Sequence, residues 1–227
     1  MTKYLPTCIL SIAIMIMSMT LYAQNDVTQF LGIPVDGYKS EMIKKLKDKG
    51  FTNDSDNKDI LVGEFNGIKV NVFVVTNNNK VCRIMVADAN TVDEGDIKIR
   101  FNNLLRQFQN NKRYLSTPDS TISKWSISES EDVAYELSIH NKKYDALFYQ
   151  KTAMYDSLNV ENDKLFAIEQ RTDSIFNRQN ALIIQIAKES IKSLDKAVWF
   201  RINSHNGKYY ITMYYDNELN RAKGDDL

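Results

Sequence analysis

Cysteine, histidine, proline and glycine are all scarce in this sequence: its 227 residues hold two, two, three and eight of them. Cys8 sits in an apolar amino-terminal segment, which leaves Cys82 alone in the rest of the chain. One thiol closes no internal disulfide, so the fold has to rest on a hydrophobic core rather than on covalent staples. Its setting, Val81-Cys82-Arg83-Ile84-Met85-Val86, is strand-like, and a buried, inert thiol is the ordinary state there. The two histidines, His140 and His205, fall at expected turns, and no His-Glu-x-x-His pair occurs. Zinc needs three or four converging ligands. No glycine-rich phosphate cradle (Gly-x-x-x-x-Gly-Lys or Gly-x-Gly-x-x-Gly) and no Gly-x-Ser-x-Gly nucleophile turn is present. Net charge is missing as well. The 29 basic side chains balance 29 acidic ones, so no global field recruits nucleic acid or an anionic surface. The sequence therefore assigns no catalytic residue, no metal ligand set and no cofactor.

Two acidic clusters invite a cation and fail on spacing. In Asn53-Asp54-Ser55-Asp56-Asn57-Lys58-Asp59, counting from Asp54 puts Lys58 at the fifth position, no Gly at the sixth and Phe65 at the twelfth. A calcium loop wants a ligand, a Gly and a bidentate Glu there, so a solvated turn is expected. Asp216, Glu218, Asp225 and Asp226 cluster near the chain end, where a frayed polar tail is the ordinary explanation.

What the chain does have begins with an amino-terminal segment unlike the rest. Lys3 precedes an uncharged run, residues 9–21, and small Ala23 follows. A positive start, a short apolar core and a small residue before a cleavage point form a secretory signal. The run is well short of the roughly 20 residues that span a bilayer. Residues 1–23 are expected to be removed, leaving a periplasmic or secreted protein with no membrane span. The remaining length suits one sizeable domain.

Gly32-Ile33-Pro34-Val35-Asp36-Gly37 is rich in turn residues, and the spacing of Met42, Ile43 and Leu46 predicts a helix over 38–49. Gly50 supplies its left-handed cap and Phe51 the contact that folds back. Strands over 61–65 and 68–76 flank Asn66-Gly67, a strong two-residue hairpin signal, and a third follows over 80–87. Thr91 with Glu94 forms a capping box. Ile97, Phe101, Leu104, Leu105 and Phe108 then mark an amphipathic helix. After Pro118, alternating residues predict strands over 121–128, 132–139 (Val133, Tyr135, Leu137, Ile139) and 144–150. A last hairpin, 197–203 with 208–215, turns at Asn206-Gly207. The expected fold class is α+β: tandem helix–antiparallel-sheet units, αβββ-αβββ then a β hairpin, at 24–90 and 91–227 within one compact domain.

Residues 151–196 interrupt that pattern. The stretch has no Gly and no Pro, and Leu158, Leu165, Ile168, Ile175, Leu182 and Ile186 form an imperfect heptad interrupted by Glu161, Thr172, Gln179 and Glu189. A helical insertion is expected, as one long helix or a hairpin, either projecting from the sheet or packed across its open face.

Gly32-Ile33-Pro34-Val35-Asp36-Gly37, Leu46-Lys47-Asp48-Lys49-Gly50-Phe51, Gly63-Glu64-Phe65-Asn66-Gly67, Ile99-Arg100-Phe101-Asn102-Asn103-Leu104 and Tyr214-Tyr215-Asp216-Asn217-Glu218 together resemble a group of uncharacterised exported proteins of Bacteroides-type bacteria. The resemblance covers nearly all of the chain after the expected signal, except the insertion, and it implies habitat and compartment rather than mechanism. The helix-then-sheet repeat is also similar to β-lactamase-inhibitor-type binding modules at the level of fold. In that habitat Asp119-Ser120-Thr121, Asp156-Ser157-Leu158 and Asp173-Ser174-Ile175 resemble the acceptor sequence for O-linked glycosylation, which makes Ser120, Ser157 and Ser174 candidate modification sites.

The first functional expectation is a non-enzymatic binding or interaction module. It would use Leu165, Ile168, Ile175 and Leu182 on the insertion, with Trp199, Tyr209 and Tyr214 on the sheet, against another envelope protein. The last hairpin is aromatic on both faces, with Phe200, Tyr210 and Tyr215 beside Trp199, Tyr209 and Tyr214, and alternation turns one set inward and the other outward. The alternatives are a glycan or small-molecule binder on the outward aromatic face, and a hydrolase whose site is dispersed along the chain.

Overall fold

A computed structural model describes residues 26–168 and 172–222. The expected signal segment, and Asp225 and Asp226, lie outside the described residues. A two-stranded ribbon, β1 (Gln29–Phe30) and β2 (Ile33–Pro34), precedes helix α1 (Lys39–Asp48), which buries Met42 and Leu46. Gly50 reverses the chain at φ 98°, and the Phe51 N–H donates to the Leu46 carbonyl at 3.2 Å. This is the cap that the Gly-Phe pair predicts. The chain continues through β3 (Thr52–Asn53) into a meander of β4 (Ile60–Phe65), β5 (Ile68–Asn77) and β6 (Lys80–Asp88). Asn66 and Gly67 both take positive φ in the β4–β5 turn, as a type I′ hairpin requires.

Helix α2 (Glu94–Asn110) buries Ile97, Phe101, Leu104, Leu105 and Phe108. Its cap differs from the expected box. Asp93, not Thr91, accepts the Asp96 N–H, and the Glu94 carboxylate leaves the helix to accept the Val133 N–H at 3.0 Å.

The strands expected over 121–128 and 132–139 are helices instead: α3 (Asp119–Trp125) and α4 (Val133–Ser138). Alternation over seven residues does not separate the two periods, because Val133 and Leu137 also lie four apart, on one helical face. Both pack on the core, while Tyr135 and Ile139 are exposed. Local capping decides the outcome: the Asp132 side chain accepts the Tyr135 N–H at 2.8 Å, and Pro118 stands where α3 begins.

The last three strands are β7 (Asp145–Tyr149), β8 (Ala197–His205) and β9 (Lys208–Asp216). The final hairpin is thus not an addition to a finished second unit but supplies two of its three strands. Sheet order is β3-β4-β5-β6-β9-β8-β7, antiparallel throughout. The two third strands, β6 and β9, meet at the centre, so the units share one sheet and one core. Helices cover a single face, where Phe101 meets Phe200 with ring centroids 5.1 Å apart and Phe108 stacks on Phe148 at 4.9 Å.

The insertion is two helices, α5 (Tyr155–Phe166) and α6 (Asp173–Ser193). It leaves the sheet between paired residues: Tyr149 opposes Ala197, and the Gln150 N–H donates to the Lys196 carbonyl at 3.0 Å. Its buried Leu158 and Leu182 stand outside the main hydrophobic core. No helix among the described residues is long and apolar enough to cross a membrane.

Candidate functional site

Strand alternation sends every second residue to the face opposite the helices. The register there lines up Leu147, Trp199, Tyr214, Met85, Phe73 and Ile60 in one row across six strands. At its centre Trp199 and Tyr214 stack with centroids 3.8 Å apart and planes 15° from parallel. Guanidinium groups flank the pair, with Arg201 4.9 Å from the Trp199 ring centre and Arg83 5.0 Å from that of Tyr214. Such contacts contribute about 0.5–1 kcal/mol each at exposed sites.

Two carboxylates hold this layer. Asp216 accepts from Arg83 Nε at 2.5 Å and Nη2 at 2.9 Å, and from the Trp199 indole N–H at 2.9 Å. The Asp216 bond is the main reason the Arg83 guanidinium holds its proton even more tightly than usual. Arg201 Nη2 donates to Asp145 at 3.1 Å. Beside the layer, and reaching round edge strand β7 to Ala146 and Trp125, lies a concavity of about 520 Å³ lined also by Trp199, Arg201, Asp145, Leu147, Tyr149, Ala197, Leu194, Arg83, Asp216, Glu218 and Arg221. Tyr214 is not among the lining residues, so it backs the indole from the far side.

The expected sheet residues divide by parity. Trp199 and Tyr214 are on the open face together. Tyr209 is buried on the helix side, where its backbone pairs with Val92, so it does not join them. Phe200 and Tyr215 also point inward, and burial pushes the Tyr215 phenol well up. The residues that sequence reasoning missed are Arg83, Arg201, Asp145 and Asp216. Their signal was charge at outward strand positions between inward apolar neighbours, as in Cys82-Arg83-Ile84 and Phe200-Arg201-Ile202. Asp216, expected in a frayed tail, is instead buried at the end of β9.

The expected insertion stripe is also redistributed. Leu182 is buried and Leu165 and Ile175 are half-buried, whereas Ile168 is exposed beyond the end of α5. Ile175, Gln179, Leu182, Ile186, Glu189 and Ser193 form the sheltered face of α6. Gln179 and Glu189, which looked like interruptions, are buried members of it. Phe176, Ile183, Ile184 and Ile191 form a second apolar stripe on α6, with exposures of 55, 46, 56 and 66%. At 100° per residue they fall within an arc of about 100°, roughly 120° round the helix from the sheltered face. Ser120, Ser157 and Ser174 are all exposed, each in the first turn of its helix.

The remaining chemical candidates each have a local partner. Cys82 fills a bulge opposite Val75 and Thr76, and burial pushes its thiol up, away from the reactive thiolate. His140 pairs with Glu136 at the end of α4, and His205 contacts Asn206 at a turn. Asp54 Oδ1 accepts the N–H groups of Asp56 and Asn57, the turn expected in place of a calcium loop. Among the described residues no group of three or more His, Cys, Asp or Glu side chains is placed to hold a metal.

Comparison with protein-family models, curated proteins and solved structures finds no match. The class is therefore set by the fold itself: an α+β protein with a seven-stranded antiparallel sheet, helices on one face and a helical hairpin inserted between β7 and β8.

Proposed function

We propose that this protein is a non-catalytic binding module of the cell exterior that docks a partner protein along its helical hairpin. The uncovered second stripe of α6 carries the reading. Large apolar side chains left about half exposed are a cost in water, and contiguous exposed ones mark interaction sites. The hairpin springs from adjacent ends of β7 and β8, so it extends the molecule without adding to its core. Export is supported by the amino-terminal pattern of Lys3, the apolar run and Ala23. The exposed Asp-Ser-x sites at Ser120, Ser157 and Ser174 fit glycosylation of the same exported form, and an intact mass equal to that of the bare chain would remove that element.

The test compares three baits in native envelope extract after cross-linking: the chain from Gln24, the variant Ile183→Asp with Ile191→Asp, and a chain with residues 152–195 replaced by a short turn. A partner held by the first and lost from both others supports docking on α6. Identical capture by all three, with unchanged melting of the double variant, sinks it.

A further inference from the structure

We infer that the concavity over Ala197 on the open sheet face binds a neutral sugar ring, the pyranose unit of a saccharide. This does not depend on the hairpin reading, and it rests on four features of the cavity.

The first is a fixed aromatic wall. Trp199 borders the cavity, Tyr214 stacks behind it at 3.8 Å, and its indole N–H is tied to Asp216 at 2.9 Å. A ring held in this way loses little further freedom when a ligand lands on it. The Arg201 guanidinium lies 4.9 Å from the ring centre, so what the indole offers the cavity is the part of its surface that Arg201 leaves open. The C–H face of a pyranose is a flat apolar surface suited to it.

The second is the balance of charge. Arg83, Arg201 and Arg221 face Asp145, Asp216 and Glu218 around the rim. Equal numbers give no net field for an ion but place donors and acceptors side by side. Each hydroxyl of a sugar both donates and accepts, and planar guanidinium and carboxylate groups engage adjacent hydroxyls in pairs. Asp216 is consumed by Arg83 and Trp199, so Asp145 and Glu218, whose side chains are 44 and 31% exposed, are the acceptors that reach a ligand.

The third is size. Ala197 leaves a gap in the floor that a larger side chain would fill, and about 520 Å³ lies within the ~300–1,000 Å³ of small-ligand sites. The fourth concerns the rival occupant, an extended peptide added to edge strand β7. The Leu115 N–H already donates to the Tyr149 carbonyl at 2.9 Å, and Tyr114 bridges to Gln150. One end of a five-residue edge strand is therefore occupied, and too little remains for strand addition.

Trp125 and Trp199 are the only tryptophans in the chain, and both line the cavity. Intrinsic fluorescence therefore reports on this site, and saturation-transfer NMR gives an independent reading. The probes are glucose, galactose, mannose and N-acetylglucosamine, their α- and β-linked disaccharides, glucuronate as the anionic arm and an extended apolar pentapeptide as the strand arm. One neutral sugar or disaccharide should saturate. Trp199→Ala should weaken it at least about tenfold through loss of the stacking face, and Asp145→Asn should weaken it severalfold. Asp145→Asn, a half-exposed edge position, keeps the test open if Trp199→Ala melts early. The inference is overturned if no neutral probe saturates at tens of millimolar, if only glucuronate or the pentapeptide does, or if folded Asp145→Asn binds as wild type.

Discussion

Arg83 on β6 and Asp216 on β9 are direct register partners across the seam between the two units, joined by two hydrogen bonds of 2.5 and 2.9 Å. The Asp216 side chain is only 3% exposed, and Arg83 and the indole of Trp199 are its hydrogen-bond partners. Removing one partner of a sheltered ion pair leaves a charge stranded, at a cost of about 3 kcal/mol. Arg83→Met should lower stability by that order in urea unfolding, and Arg83→Met with Asp216→Leu should recover much of the loss. A single variant within about 0.5 kcal/mol of wild type would mean that the seam does not rely on this pair.

Gly63 marks a close approach of β4 to the loop after α1. A Cβ placed there would lie 2.5 Å from the Phe51 ring, and Phe51 is buried. Gly63→Ala should destabilise by about 1–3 kcal/mol, as overpacking does. The paired change Gly63→Ala with Phe51→Leu should cost less than the two singles added together. Strict additivity in thermal or chemical unfolding would show that the ring moves aside freely.

How far these features were legible depends on whether the pattern was long or the signal local. Helix α2 shows five apolar residues over three turns, and Asn66-Gly67 fixes a hairpin with two residues, so both were readable. Residues 119–138 were not, because two helices of seven and six residues are too short for period two and period 3.6 to separate. At the site, Trp199 and Tyr214 follow from the hairpin at Asn206-Gly207, since its register can be counted. The Arg83–Asp216 pair spans 133 residues, and nothing local announces that β6 and β9 are neighbours. In the insertion the sequence offers two apolar stripes on one helix, and only tertiary packing decides which one closes on α5.

Gln179 offers a gain in stability. It is buried on the sheltered face of α6, and its Nε2 has no hydrogen-bond partner. A buried donor left unpaired costs about 1–3 kcal/mol. Gln179→Leu keeps the volume close and completes the apolar row with Ile175, Leu182 and Ile186. The variant should be more stable by about 1 kcal/mol, and amide exchange across α5 and α6 should slow. Faster exchange there would show that Gln179 is satisfied by water and useful in place.

Acid should loosen the junction of α2 with α4 before the sheet. The Lys98 ammonium bonded to Glu94 at 2.9 Å, with the Val133 N–H, holds that carboxyl below the ordinary glutamate value. At Glu131 burial pushes the other way, but hydrogen bonds from Lys142 and the Tyr144 hydroxyl outweigh it, and this carboxyl too is lowered. A folded pKa below the unfolded one means that the unfolded chain binds more protons through that range, so stability rises with pH across it. The contribution of both residues is thus complete above the unfolded glutamate value of about 4.3, and it is lost as pH falls through the lower folded values. Thermal melts from about pH 7 down to about pH 3 should fall more steeply for wild type than for Glu94→Gln with Glu131→Gln. The double variant should start lower and converge with wild type in acid. Glu131 also acts on the alkaline side: burial, then its hydrogen bond and charge, raises the Tyr144 phenol above its ordinary value. That raised group stabilises fully below the unfolded tyrosine value of about 10 and loses its contribution as pH climbs past it. The double variant should therefore also show a shallower alkaline decline, and parallel curves at both ends would reject the assignment of these carboxylates as the acid-sensitive latch.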